Sequence, residues 1–107
     1  MTVSDPNQTP VLDIVTAMNA ASLDLCDLPD DTLLMVRIAA LAAVGARPVS
    51  YLAHVGPALE SGVTVEDVQN VLVAVAPIIG TARTTKAAVN ISEALGFAIA
   101  VLAADAD

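Results

Sequence analysis

Four polar side chains recur at helical spacing in the middle of the chain: Arg47, Ser50, Tyr51 and His54. Residues three and four positions apart lie on the same face of an α-helix, and Arg37 would approach that face if its own helix packs as a hairpin. A guanidinium binds a carboxylate through paired hydrogen bonds, and an imidazole exchanges a proton near neutral pH. This set predicts a site that binds a small carboxylate through Arg37, Arg47, Ser50 and Tyr51, with His54 as acid or base.

The same residues also allow a structural interpretation. A single histidine in an apolar helix is most often a core or interface residue, and His54 has no second His or Cys partner for a metal site. Arg37 and Arg47 would equally form ion pairs with acidic residues of another subunit, such as Asp30 or Glu60. We therefore predict no metal and no cofactor, and both hypotheses about this face stay open.

The hydrophobic pattern that must position these residues predicts an all-α fold. The expected helices span about residues 10–25, 32–44, 48–62, 64–79 and 81–104, joined by short loops into an antiparallel array with a central helical hairpin. The first helix carries one apolar stripe, and the second is apolar almost all round, which predicts that it is enclosed on every side. Residues 1–9 are expected to form a flexible arm, and residues 10–107 a single domain.

Several residues predict where the helices begin, end or bend. Asp30 or Asp31 is expected to cap the second helix, and Gly45 to end it in the left-handed conformation. Thr64 and the acid three residues later resemble a capping box for the fourth helix. Pro57, inside the third helix, predicts a kink or break there.

The composition predicts a homo-oligomer. Of the 107 residues, 56% are hydrophobic and 15% charged, against about 25% charged for average soluble proteins. The apolar runs are too short, or too often interrupted by charge, for the roughly 20 residues of a membrane span. The excess of apolar side chains is therefore expected to be buried against further copies of the chain.

Charge and cysteine usage narrow the partners and the compartment. Twelve acidic residues against four basic ones would repel nucleic acid and anionic lipid. Because the chain has a single cysteine, Cys26, and no secretory signal pattern, we expect a cytoplasmic protein without nucleic-acid or membrane partners.

Residues 33–96 resemble the carboxymuconolactone decarboxylase-like family, which includes the alkylhydroperoxidase D-like proteins. The resemblance lies in IAALAAVGA at residues 38–46 and in LAHVGPALESGVTVEDVQNVLVAVAP at residues 52–77. Its most specific part is His-Val followed, after six residues, by Gly-Val-Thr. The resemblance implies an all-helical subunit with a central helical hairpin, assembled as a trimer or hexamer.

The resemblance also implies which chemistry is absent. Its thiol branch carries Cys-x-x-Cys-x-x-x-His on the helix that holds His54, and this chain has Arg47 and Ser50 at the two thiol positions. Cys26 lies outside the motif and has no second thiol to resolve a disulfide. Thiol peroxidase activity is therefore not expected.

The thiol-free branch includes a decarboxylase whose polar pocket handles a small lactone. By register with that pattern, its polar positions correspond here to Leu33, Asn70, Ala74 and Ile78. Two functions stay open. The first is binding or cofactor-free conversion of a small apolar carboxylate or lactone, a lyase-type reaction, in a pocket near a subunit interface. The second is a non-catalytic oligomeric scaffold that has lost the site.

Overall fold

The computed structural model describes the backbone of residues 9–105 and the side chains of residues 9–96. Five helices account for nearly all of it, with no strand in the described part: α1 (Pro10–Leu25), α2 (Asp30–Val44), α3 (Pro48–Glu60), α4 (Val65–Ile79) and α5 (Thr81–Asp105). The predicted all-helical fold is confirmed. The arm expected at residues 1–9 lies, apart from Thr9, outside the described residues.

The core lies around α2, which contacts α3, α4 and α5, while α5 also packs against α3 and α4. The largest fully buried side chains are Ile38, Tyr51, Val55 and Val68, from α2, α3 and α4. Helix α5 adds the small side chain of Ala87 and the branched one of Ile91. Helices α2 and α3 therefore form the hairpin that the sequence predicts.

The turn of this hairpin is fixed by hydrogen bonds from two sides. Gly45 has a φ of 69°, and the Ala46 N–H donates to the Leu41 carbonyl at 2.9 Å, as in a Schellman motif. From α5, Lys86 Nζ donates to the Gly45 carbonyl at 3.3 Å, and Asn90 Nδ2 donates to the Ala46 carbonyl at 3.1 Å. The positive charge of Lys86 also interacts favourably with the negative, C-terminal end of the α2 helix dipole.

The capping box of α4 is present as predicted. The Asp67 N–H donates to Thr64 Oγ1, and the Thr64 N–H donates to Asp67 Oδ2, both at 2.9 Å. A box of this type is worth about 1 kcal/mol to the helix.

One local prediction is wrong, and of the kink or break predicted at Pro57 the break does not occur. Neither Asp30 nor Asp31 caps α2, because the helix begins at Asp30 itself and the capping position is Pro29. Helix α3 also shows no break at Pro57 but continues to Glu60. The proline removes only one hydrogen bond, to the carbonyl of the exposed Ala53, where water can replace it.

Much apolar surface is left uncovered by a single chain. Helix α1 has no buried residue, and its apolar side chains include Val11 at 71% exposure and Leu25 at 80%. Helix α2 is not enclosed on every side, since Val36 and Val44 are exposed. A single chain of this length has too few elements to cover both faces of α2. Within the described residues, no helix combines the length and apolarity needed to span a bilayer.

Candidate functional site

A cavity of about 530 Å³ lies where α1, α2 and α3 face one another. Each helix contributes residues three or four positions apart, so each presents one stripe to the cavity. The lining residues are Val15, Thr16, Asn19 and Leu23 from α1, Asp30, Leu33, Leu34 and Arg37 from α2, and Ala53, His54, Pro57 and Ser61 from α3 and the residue after it. Half of these side chains are apolar, and the polar half includes Asp30, Arg37 and His54.

Arg37 is half-buried beside the cavity and is held by two neutral side chains of α1. Its Nη1 donates to Asn19 Oδ1 at 2.6 Å, and its Nη2 donates to Ser22 Oγ at 2.9 Å. Neither acceptor carries a charge, and within residues 9–96 no carboxylate forms an ion pair with this guanidinium. The positive charge is therefore positioned but not neutralised, which favours an anionic ligand.

His54 contributes one free ring nitrogen. Its Nδ1 lies 2.9 Å from the main-chain carbonyl of Ser50, and because a carbonyl only accepts, Nδ1 must donate. In the neutral ring this tautomer leaves the lone pair on Nε2, which has no hydrogen-bond partner among the described residues. His54 is thus oriented by its own helix, with Nε2 left to accept or deliver a proton.

The structure places the other three predicted site residues elsewhere. Arg47 is exposed at the position before α3, and Tyr51 is fully buried in the core. Ser50 contacts His54 through its main-chain carbonyl. None of the three lines the cavity, which brings together only Arg37 and His54 from the predicted set.

The contribution of α1 to this site was not predicted from the sequence. Asn19 and Ser22 hold Arg37, and Thr16 lines the cavity beside them. The available signal was their spacing, since positions 16, 19 and 22 place three uncharged polar residues along one side of a helix whose other polar residues are Asp13 and Asp24.

Tyr51 differs from the cavity residues in its surroundings. Its hydroxyl is buried without a hydrogen-bond partner among the described residues. Burial raises the pKa of this phenol above its ordinary value, because the interior disfavours the phenolate. The hydroxyl is therefore neutral throughout the physiological range.

The positions that depart from the resembled decarboxylase pattern do not form one surface. Leu33 lines the cavity, whereas Asn70, Ala74 and Ile78 are exposed on α4. Cys26 is a free, half-buried thiol at the end of α1. Across the described residues, no three His, Cys, Asp or Glu side chains cluster as metal ligands would.

Comparison with known proteins identifies a family. The model of the carboxymuconolactone decarboxylase family matches residues 10–94, which include all five predicted site residues and every residue that lines the cavity. No curated protein and no solved structure matches the chain.

Proposed function

The chain belongs to the carboxymuconolactone decarboxylase family, and we propose that it binds a small apolar carboxylate in the cavity between α1, α2 and α3. The observation that supports this most is the state of Arg37, a half-buried cation held only by the neutral side chains of Asn19 and Ser22. A carboxylate at Arg37 would neutralise a charge that the described residues leave uncompensated. The apolar side chains of the cavity would hold the rest of the ligand.

His54 would carry out the only proton transfer. With Nδ1 donating to Ser50, Nε2 is the atom that would take a proton from the ligand or return one. Cofactor-free decarboxylation of a carboxylate or lactone needs such a step, so a lyase would be the catalytic form of this protein. Thiol chemistry has no support, because the only cysteine is Cys26 and it does not line the cavity.

A homo-oligomer, trimer or hexamer, is part of the proposal. It is supported by the exposed apolar side chains of α1, which also forms one side of the cavity. Copies of the chain packed on α1 would place the cavity near a subunit interface. We also propose a cytoplasmic location, which the single cysteine favours.

Arg37 and Arg47 provide a matched test. Titration calorimetry with hexanoate and benzoate at low salt should detect binding to the unmodified protein. Arg37→Gln should weaken it about tenfold or more, because a partly desolvated charge pair is lost. Arg47→Gln removes the same charge from an exposed position outside the cavity and should leave affinity unchanged. Equal losses in the two variants, or no binding at all, would contradict the proposal.

A scaffold without a site is the second candidate function, favoured by the exposed apolar surface of α1 and α2. A scaffold of this kind would bind neither hexanoate nor benzoate in the calorimetric titration, whichever variant is used. It also predicts that Arg37→Gln alters only stability, through the lost hydrogen bonds to Asn19 and Ser22. Thermal unfolding of the same variants therefore separates the two functions.

A further inference from the structure

The α2 side of the cavity carries charges of opposite sign at its two ends. Asp30, Leu33, Leu34 and Arg37 all line the cavity. Their spacing of three, one and three residues places them on one face of the helix. The two charged residues are seven positions apart in the chain, which is about 10.5 Å along the helix axis at 1.5 Å per residue. Two leucines occupy the interval.

Neither charge is paired within the described chain. Arg37 donates to the neutral side chains of Asn19 and Ser22, and the Asp30 carboxylate accepts no hydrogen bond from residues 9–96. Arg37 is also the only Arg or Lys among the lining residues that the structure describes. The cavity therefore offers one place for an anion and, two helical turns away, one acceptor that repels a second anion.

Ligand chemistry follows from this arrangement. A carboxylate at Arg37 with a saturated chain over Leu33 and Leu34 brings its far end towards Asp30. A second carboxylate at the far end would be repelled by the Asp30 carboxylate. A methyl group there would offer Asp30 no hydrogen-bond donor. An ammonium or hydroxyl group would donate a hydrogen bond to it.

We propose that the cavity selects a monocarboxylate with a hydrogen-bond donor at its other end, an ω-amino or ω-hydroxy acid, and discriminates against dicarboxylates. This inference rests on the proposed function, since it assumes that Arg37 binds the carboxylate. A chain of about six carbons has a suitable length, given C–C bonds of about 1.5 Å and side chains that both reach into the cavity.

Three ligands of equal chain length test the selection: ε-aminohexanoate, hexanoate and adipate. Their far ends are an ammonium, a methyl group and a carboxylate. Competition titrations at low salt should rank the affinities in that order, with about a three- to fivefold advantage of the amino acid over hexanoate. The step is modest because Asp30 is exposed and solvent screens its charge.

Asp30→Asn and Asp31→Asn form the matched pair. Each removes one carboxylate from the first turn of α2, but only Asp30 lines the cavity. Asp30→Asn should abolish the advantage of ε-aminohexanoate and narrow the gap between hexanoate and adipate. Asp31→Asn should keep the ranking of the unmodified protein, which excludes a general effect of net charge.

The outcomes separate this inference from the proposed function. Hexanoate binding that depends on Arg37, with no preference for ε-aminohexanoate, would overturn the selection and leave carboxylate binding in place. A preference that survives Asp30→Asn, or disappears equally in Asp31→Asn, would also overturn the role of Asp30. Absence of binding by all three acids would overturn both proposals.

Discussion

Tyr51 carries a polar hydroxyl group in the apolar core. It is fully buried, and its hydroxyl has no hydrogen-bond partner among the described residues. Burying such a group without compensation costs free energy. Tyr51→Phe should therefore leave the free energy of unfolding unchanged or raise it, as measured by urea denaturation at neutral pH. A loss of more than about 1 kcal/mol would mean that the hydroxyl makes a stabilising hydrogen bond.

Tyr51→Ala is the comparison variant, because it should cost about 3–5 kcal/mol by opening a cavity in the core.

The raised pKa of Tyr51 makes the free energy of unfolding depend on pH in the alkaline range. Above about pH 10 the unfolded chain releases the phenol proton while the folded chain retains it. The stability due to this group is therefore complete below that pH and is lost as pH rises through the folded pKa. Tyr51→Phe should lack that part of the alkaline decline.

Of the five predicted site residues, two line the cavity: His54, chosen by helical spacing, and Arg37, chosen because its helix was expected to pack against α3 as a hairpin. Tyr51 lies against the core instead. On α3, the face that carries His54 and Pro57 lies next to the face that carries Tyr51 and Val55. Periodicity groups residues on a face but does not say which neighbour that face meets. That depends on how the helices pack, and Tyr51 lies on the side of α3 that meets the core formed with α2, α4 and α5.

At the scale of elements, α1 is attached to the rest of the chain by few contacts. It has no buried side chain, and two of its polar residues hold Arg37. Asn19→Ala combined with Ser22→Ala should speed hydrogen exchange of the α1 backbone amides, because α1 would separate more often from α2 and α3. Alanine raises helix propensity, so faster exchange cannot come from the helix itself.

Asp24→Ala is the control on the same helix, since this exposed residue does not contact Arg37. It should leave α1 exchange unchanged or slow it. Equal exchange in the double variant and in the unmodified protein would show that these hydrogen bonds do not hold α1 in place.

The five helices and most of their boundaries were predicted from the sequence. Each feature that was not predicted can be traced to a few residues. The bounds of α1 and the capping box of α4 were predicted because proline, the apolar stripe and Thr64 are short-range signals. The sequence did not decide between a kink and a break at Pro57, because continuation of the helix depends on whether the carbonyl left unpaired is open to solvent. That condition is a property of the folded chain.

At the scale of the whole molecule, the exposed apolar side chains support self-association. Light scattering at micromolar concentration should give a mass above that of one 10.8 kDa chain. Met18→Asp places a charge within the exposed apolar surface of α1 and should weaken the assembly, while Gln69→Asp adds the same charge at an exposed polar position of α4 and should not. A monodisperse monomer in the unmodified protein would contradict self-association.

The binding of a carboxylate beside His54 can be observed directly, because His54 is the only histidine of the chain. In untagged protein its imidazole C–H proton signals report this one side chain. Titration with hexanoate should shift those signals saturably in the unmodified protein and in Arg47→Gln, with a much weaker response in Arg37→Gln. Imidazole signals that do not respond to hexanoate in the unmodified protein, or that respond equally in Arg37→Gln, would contradict the cavity as the binding site.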